Sequence, residues 1–266
     1  MATRHSNSFR VPTATVASGS DANFNKDNVL LYTRPNRVWK SSAAITVAGA
    51  ATGNTNRTYV GLDLGSALAL VSIFVDNINI TSVLVQHSSD GTTWTTDSTA
   101  TVMRNGDDGR YKFWLALTSW TFRYIRLNAN TTSTTDGQTL MQVGSIVVQS
   151  ATTTWSTPGG LPFIRTPLQA SITNADGISG GRDPVLTGNR YSLLTVNQPA
   201  MPMTMEDTIL ELLGYGMHAP FLFIRDDTDA TLTEQAYIVR RVSTPGIEKL
   251  SPAHFSLSGL LLEGVV

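Results

Sequence analysis

The 266-residue chain has no cysteine, so disulfide staples, thiolate metal sites and cysteine nucleophiles are excluded. Such a chain fits a reducing cytosol, and equally a protein that endures outside a cell without covalent staples. Charge is scarce too. Asp, Glu, Lys and Arg make up 15% of the residues and the formal net charge is −1, which leaves no bulk electrostatic handle for nucleic acid or an acidic membrane. The longest apolar run, ALALVSIFV at Ala67–Val75, is far too short to cross a bilayer. The opening residues, MATRHSNSFRVPT, lack the apolar segment of a secretory signal. The expectation is a protein made in the cytosol, without membrane insertion. There is no internal repeat and no heptad pattern.

Catalytic and metal-binding patterns are equally sparse. His5, His87, His218 and His254 are far apart, without metal-ligand spacing, and read as strand or loop residues. No phosphate loop, dinucleotide fingerprint or clustered carboxylate pair occurs. Gly177-Ile178-Ser179-Gly180-Gly181 matches G-x-S-x-G, but Asn174–Asp176 precedes it and Arg182–Pro184 follows. A nucleophile elbow needs a strand and a helix there, so a loop is expected. DANFNKDN (Asp21–Asn28) begins like a calcium loop, yet Lys26 and Tyr32 stand where that loop needs Gly and Glu. A polar loop fits better. The expectation is a protein that is not an enzyme and holds neither cofactor nor metal.

What is present is β-type sequence. TYVGLDLG (Thr58–Gly65), ALVSIFV, SVLVQHS, RYKFWLAL (Arg110–Leu117), FRYIRLNA (Phe122–Ala129) and MQVGSIVVQS (Met141–Ser150) follow one another, separated by turn residues. This pattern predicts a sandwich or barrel. Within it, Val83, Val85 and His87 alternate with Leu84, Gln86 and Ser88, and Asp90-Gly91 predicts a two-residue hairpin turn. Trp94 just beyond it reads as a core or end-cap ring, with an exposed ligand-stacking ring as the other reading. Arg34, Arg37 and Lys40, interleaved with Tyr32 and Trp39, read either as a ligand-binding loop or as a solvated rim.

SATTTWSTPGGLPFIRTP (Ser150–Pro167) is rich in Ser, Thr, Pro and Gly and predicts a domain boundary. The expected division is a first domain over 1–150, a linker over 151–167 and a second domain over 168–266. The second domain should be a β-sandwich or barrel with one helix near 204–214. Thr204 is its expected N-cap; Met205, Ile209, Leu212 and Leu213 form its apolar face. LLTV and GLLLEGVV look like spare apolar surface for subunit contacts.

Four stretches of the first half occur in an order that resembles the discoidin (F5/8 type C) family of galactose-binding-like, jelly-roll-like β-sandwiches. They are NVLLYTRPNRVWKSS, YVGLDLGSALALVSIFV, VLVQHSSDGTTWTT and FRYIRLNA. The resemblance implies that Trp94 is a core tryptophan and that loops at one end bind sugars, or sometimes lipids or proteins. Arg34, Asn36, Arg37, Asn54, Asn56 and Arg57 are the candidate ligand-binding residues on those loops. The family's calcium-binding D-G-N is replaced around Thr33-Arg34-Pro35-Asn36, which implies no structural metal.

The second half is similar to the C-terminal part of tailed-phage distal-tail and minor tail proteins. RYSLLTVNQPAMP, MEDTILELLGYG, APFLFIRDD, YIVRRV and HFSLSGLLLEGV carry this likeness. It implies a structural protein of a phage virion, assembled in the host cytoplasm and located at the tail tip or baseplate. The protein would form a homo-oligomeric ring of about six copies, or three, in contact with tail tube, baseplate hub and tail fibres. The outward sandwich would bind a host-surface glycan or dock a neighbouring tail protein. The alternative is a bacterial carbohydrate-binding module or adhesin.

Overall fold

A computed structural model describes residues 3–10, 12–34, 36–50, 57–101, 103–104, 110–155, 163–168, 172–176, 182–186, 191–217, 219–224 and 236–264. The chain is mostly β. The strands before residue 150 are β1 (Thr3–Ser6), β2 (Ala14–Ala17), β3 (Trp39–Lys40), β4 (Tyr59–Asp76), β5 (Ser82–Ser88), β6 (Thr95–Thr101), β7 (Met103–Arg104), β8 (Tyr111–Ala129), β9 (Gln142–Val143) and β10 (Ser145–Gln149). After it come β11 (Thr153–Trp155), β12 (Phe163–Leu168), β13 (Ile172–Asp176), β14 (Arg182–Leu186), β15 (Tyr191–Pro202), the helix α1 (Glu206–Gly214), β16 (Pro220–Ile224), β17 (Ala236–Arg241), β18 (Gly246–Lys249) and β19 (His254–Gly264).

Two pairs of expected strands are single long ones. The Thr58–Gly65 and Ala69–Val75 runs join as β4, and the Arg110–Leu117 and Phe122–Ala129 runs join as β8. β4 and β8 pair antiparallel from Tyr59↔Asn128 to Asp76↔Lys112, with irregularities between Asp63 and Leu68 and between Leu70 and Ser72. The near part of this ribbon carries β2 and β5–β6; the far part carries β10 and β7. Val60 and Leu62 of the near part share one core with Ile73, Val75, Phe113 and Val148 of the far part. The ribbon therefore folds onto itself and closes a sandwich around its own apolar faces, the cheapest way for a half-buried sheet to leave water. Gly61 lies where a Cβ would sit 2.2 Å from the Ile125 carbonyl oxygen and 2.7 Å from the Arg126 Cα. No side chain fits this crossing of β4 and β8.

The hairpin at residues 82–101 exists, but its loop is longer than two residues. His87 pairs with Thr95, and Gly91 has a left-handed φ of 74°. The Asp90 carboxylate accepts the backbone N–H groups of Thr92 and Thr93 at 2.8 Å each. Those two N–H groups and the Ser88 hydroxyl hold the Asp90 carboxyl well below the usual carboxylate range. Trp94 is 3% exposed yet stands outside the apolar core. Its ring lies 4.0 Å from the Arg126 guanidinium, whose other ring neighbour is Tyr59 at 4.9 Å. Trp94 is thus a buried lid over a cation on the outer face of the sheet. Trp94 is buried, as the core or end-cap reading expected, but it packs on Arg126 and Tyr124 rather than within the cluster around Val83 and Val85. Burial lowers the Arg126 pKa to about 10, so the guanidinium remains charged at neutral pH. Its Nε donates to Gln86 Oε1 at 2.8 Å, as a buried charge requires.

The N-terminal strand belongs to the other half. β1 pairs with β11 on one side and β16 on the other, in an eight-stranded sheet ordered β11-β1-β16-β17-β19-β15-β12, with β18 on β19. Residues 7–150 are therefore bracketed by two neighbouring strands. The chain enters and leaves side by side, with Ser150 N–H bonded to Ser8 O at 3.2 Å. The stretch expected to be a linker contributes β11, and its Trp155 is fully buried. The Ser/Thr/Pro/Gly content had masked a strand made of Thr-Thr-Trp.

β16 and β17 are apolar on both faces for a reason visible in the packing. Phe221, Phe223, Tyr237 and Val239 face a core shared with Ile209 and Leu212 of α1. Leu222, Ile224, Ala236 and Ile238 face Phe74, Trp114 and Val147 of the sandwich. Period-two alternation thus serves two cores at once. The Lys112 ammonium lies 5.1 Å from the Tyr237 ring centroid at this junction. The apolar residues Leu194, Val196, Leu260 and Leu262 are fully buried within the second unit. They are not the spare surface that LLTV and GLLLEGVV suggested, because β15 and β19 pair with each other and turn those side chains toward α1. Helix α1 follows a 3-10 turn at Met203–Met205, which moves the N-cap from Thr204 to Met205, without a side-chain cap bond. Met205, Ile209 and Leu212 are buried as expected. No described helix is long and apolar enough to cross a membrane.

His5 on β1 is fully buried, and its Nδ1 accepts the Trp155 Nε1–H at 2.6 Å. Its Nε2 is buried without a hydrogen-bond partner. Burial lowers the His5 pKa from 6.5 to about 4, with the Glu211 carboxylate opposing the shift. Between those values the unfolded chain holds a proton that the folded chain refuses. Stability from this group is complete above pH 6.5 and is lost as pH falls toward 4. The expected loss is on the order of 3 kcal/mol. Urea titrations at pH 7 and pH 4.5 would check this, with His5→Gln flattening part of the difference. An unchanged midpoint across that window would mean that His5 titrates normally.

Candidate functional site

The sandwich holds a cleft of about 400 Å³ lined by His87, Asp97, Ser98, Leu115, Ala116, Leu117, Trp120 and Phe122. Three irregularities in the strands build it. Val85 pairs with Ser98 and Gln86 with Thr96, so Asp97 is the extra residue of a β-bulge. Bulges re-aim side chains, and this one turns the Asp97 carboxylate onto the His87 ring: Asp97 Oδ2 and His87 Nδ1 are in contact. On β8, Ser72 pairs with Ala116 and Leu70 with Trp120, so residues 117–119 stand opposite Val71 alone. A second slip leaves residues 64–67 opposite Arg123 alone.

These slips change the parity of β8. Phe113, Leu115 and Leu117 line the core side at odd positions; Trp120 and Phe122 do so at even ones; Ile125 and Leu127 return to odd. In an unbroken strand the rings at 120 and 122 would face away from the leucines. Here leucines and rings make one wall. His87 stacks on Phe122, with centroids 3.5 Å apart and planes 20° apart, and tilts against Trp120 at 5.1 Å. The His87 side chain is 10% exposed and the Asp97 side chain 25%. An apolar, ring-lined wall thus meets a carboxylate that still reaches solvent. Such a cleft can pack an apolar face and accept hydrogen bonds beside it.

The residues expected to bind a ligand stand elsewhere. Arg34, Asn36 and Arg37 lie on an exposed turn held by backbone bonds from Arg34 N–H to Leu31 O and from Arg37 N–H to Arg34 O. Asn54 and Asn56 lie outside the described residues. The Arg57 guanidinium is spent on the chain itself, donating to Gly49 O at 3.1 Å and Ala129 O at 3.0 Å. None of the described members of this set lines the cleft. Trp39 is a fully buried core ring whose Nε1–H donates to Ser20 Oγ at 3.0 Å, and Lys40 lies over Phe24 at 4.4 Å. Around Asp21–Asn28, Asn25 caps the 3-10 turn Lys26–Leu30, and Asp27 accepts the Thr15 hydroxyl. Among the described residues no three His, Asp or Glu side chains are grouped to hold a metal. The G-x-S-x-G stretch at 177–181 lies outside the described residues.

Sequence reading missed His87, Asp97, Trp120 and Phe122 as one group. One signal was present: His87 occupies the core-side position after Val83 and Val85, where an imidazole needs a polar partner.

No protein-family profile matches the chain, and no curated protein matches it. Solved structures do match over about half of it. The module CBM32 of AlyQ, in complex with 4,5-unsaturated mannuronic acid, is 20% identical with a TM-score of 0.41, covering 54% of this chain and 98% of that one. Chitosan-binding module 2 of a chitosanase/glucanase from Paenibacillus sp. IK-5, in complex with chitotriose, is 17% identical with a TM-score of 0.39, covering 53% and 98%. CBM32-3 from a family 31 glycoside hydrolase of Clostridium perfringens is 19% identical with a TM-score of 0.39, covering 51% and 88%. The phage-tail resemblance of the second half gains no support from these comparisons.

Proposed function

We propose that this is a glycan-binding protein whose sandwich cleft takes a saccharide. The observation that supports it is the bulge at Asp97, which sets a carboxylate on the rim of a wall of leucines and aromatic rings. A pyranose has the complementary make-up: a C–H face that packs on rings, and hydroxyls that need acceptors. The volume falls in the range of roughly 300–1,000 Å³ usual for small-molecule sites. Asp97 supplies the acceptor, and Ser98 can both donate and accept.

The test is calorimetry of the full chain against a panel of mono- and oligosaccharides, followed by Asp97→Ala. Removing one charge-assisted hydrogen bond, about 1.5–3 kcal/mol, is expected to weaken binding at least about tenfold; the melting temperature should fall modestly as His87 loses its carboxylate partner, so binding is measured well below it. Saccharide affinity that survives Asp97→Ala would place the ligand away from this cleft.

A further inference from the structure

We infer that the cleft selects by charge, taking neutral saccharides and rejecting those whose ring carries a carboxylate. This inference rests on the saccharide reading of the cleft. Among the described residues that line the cleft, Asp97 is the one formally acidic side chain and there is neither Lys nor Arg. Arg123 follows the lining residue Phe122 directly on β8. It is turned away, its Nε and NH2 bonded to both oxygens of Asp63 at 2.8 and 2.9 Å. The His87 Nδ1 is committed to one Asp97 oxygen, and the second oxygen remains an acceptor for a hydroxyl.

A sugar hydroxyl donates to that oxygen. A uronate carboxylate in the same place has no proton to donate and meets a like charge at close range, beside a low-dielectric wall where the repulsion is only partly screened. The 6-carboxylate is larger than the 6-hydroxymethyl group by one oxygen only, so charge is the greater difference between them, and the salt dependence separates it from fit.

The experiment compares matched oligosaccharides that differ only at that carbon: galactose with galacturonate, glucose with glucuronate and mannose with mannuronate. The full chain is titrated at neutral pH and low salt. In whichever stereochemical pair binds, the neutral member is expected to bind at least about tenfold more tightly, and added salt should narrow the gap. Asp97→Asn keeps the shape and removes the charge; the ratio should fall below about threefold. Ser98→Asp adds a second carboxylate to the lining and should widen the ratio again, which keeps the test informative if Asp97→Asn weakens every ligand. Uronates binding as tightly as their neutral partners would overturn the charge filter and leave the saccharide site standing. Failure of every saccharide to bind would overturn the saccharide reading and this inference with it.

Discussion

Deleting residues 1–7 is expected to unfold the second half of the chain while the sandwich survives. β1 is the sole described partner of β11, so its loss strips one sheet edge of both strands. Trp155 loses the His5 acceptor and its cover. Ser6, which donates to Ala151 O at 2.5 Å, and Arg4, which donates to Thr152 Oγ1 at 3.4 Å, go with it. Exposing a fully buried tryptophan and the edge of β16 should cost roughly 4–6 kcal/mol. Calorimetry should show one melting transition become two, with the lower belonging to the second half. Tryptophan fluorescence should shift to the red as Trp155 meets water. A single transition at the parental temperature would mean that β1 is a passive passenger on that sheet.

Trp94→Ala is expected to cost about 3–5 kcal/mol, by a route unlike an ordinary core deletion. The indole covers a guanidinium that is 1% exposed, and it meets Tyr124 edge-on at 6.4 Å. Its removal leaves the Arg126 charge with one aromatic face fewer, in a site where Gln86 already serves both Arg126 and Asn128. A buried cation that loses part of its environment costs more than the same area of hydrocarbon. The double variant Trp94→Ala/Arg126→Met should therefore be more stable than Trp94→Ala alone. Urea denaturation of the parent, both single variants and the double variant would measure this coupling. Strictly additive effects, or a Trp94→Ala chain within about 1 kcal/mol of the parent, would show that ring and cation are independent.

The proposed glycan site and the junction between the two units meet on β8. Its far part presents Phe113 to the sandwich core and Trp114 to β16 and β17. A few residues on, Leu115, Leu117, Trp120 and Phe122 line the cleft. The wall of the proposed site thus continues a strand anchored on both faces, the rigid support that a preformed binding cleft needs.

The sequence alone determined the β class of the chain, the hairpin after Ser82 and the buried face of α1. Each of these is local or periodic. Val83, Val85, Ile125 and Leu127 declare a core side by alternation, and Ile209 and Leu212 do so by helical spacing. The tertiary structure decided the rest. Alternation cannot register a slip in pairing, because an extra residue becomes extra only against a partner strand. That is why β4 and β8 each read as two strands, why nothing singled out Asp97 within its run of threonines and serines, and why Trp120 and Phe122 were not joined to His87. Thr3–Ser6 and Thr153–Trp155 are separated by almost the whole sandwich, and nothing within either segment names the other. Their adjacency follows from the chain entering and leaving that unit at one place. The apolar runs of β15, β16, β17 and β19 show that surface must be buried, but a one-dimensional pattern does not say against what. The fold buries much of it against α1 and the sandwich, where the sequence had pointed to other subunits.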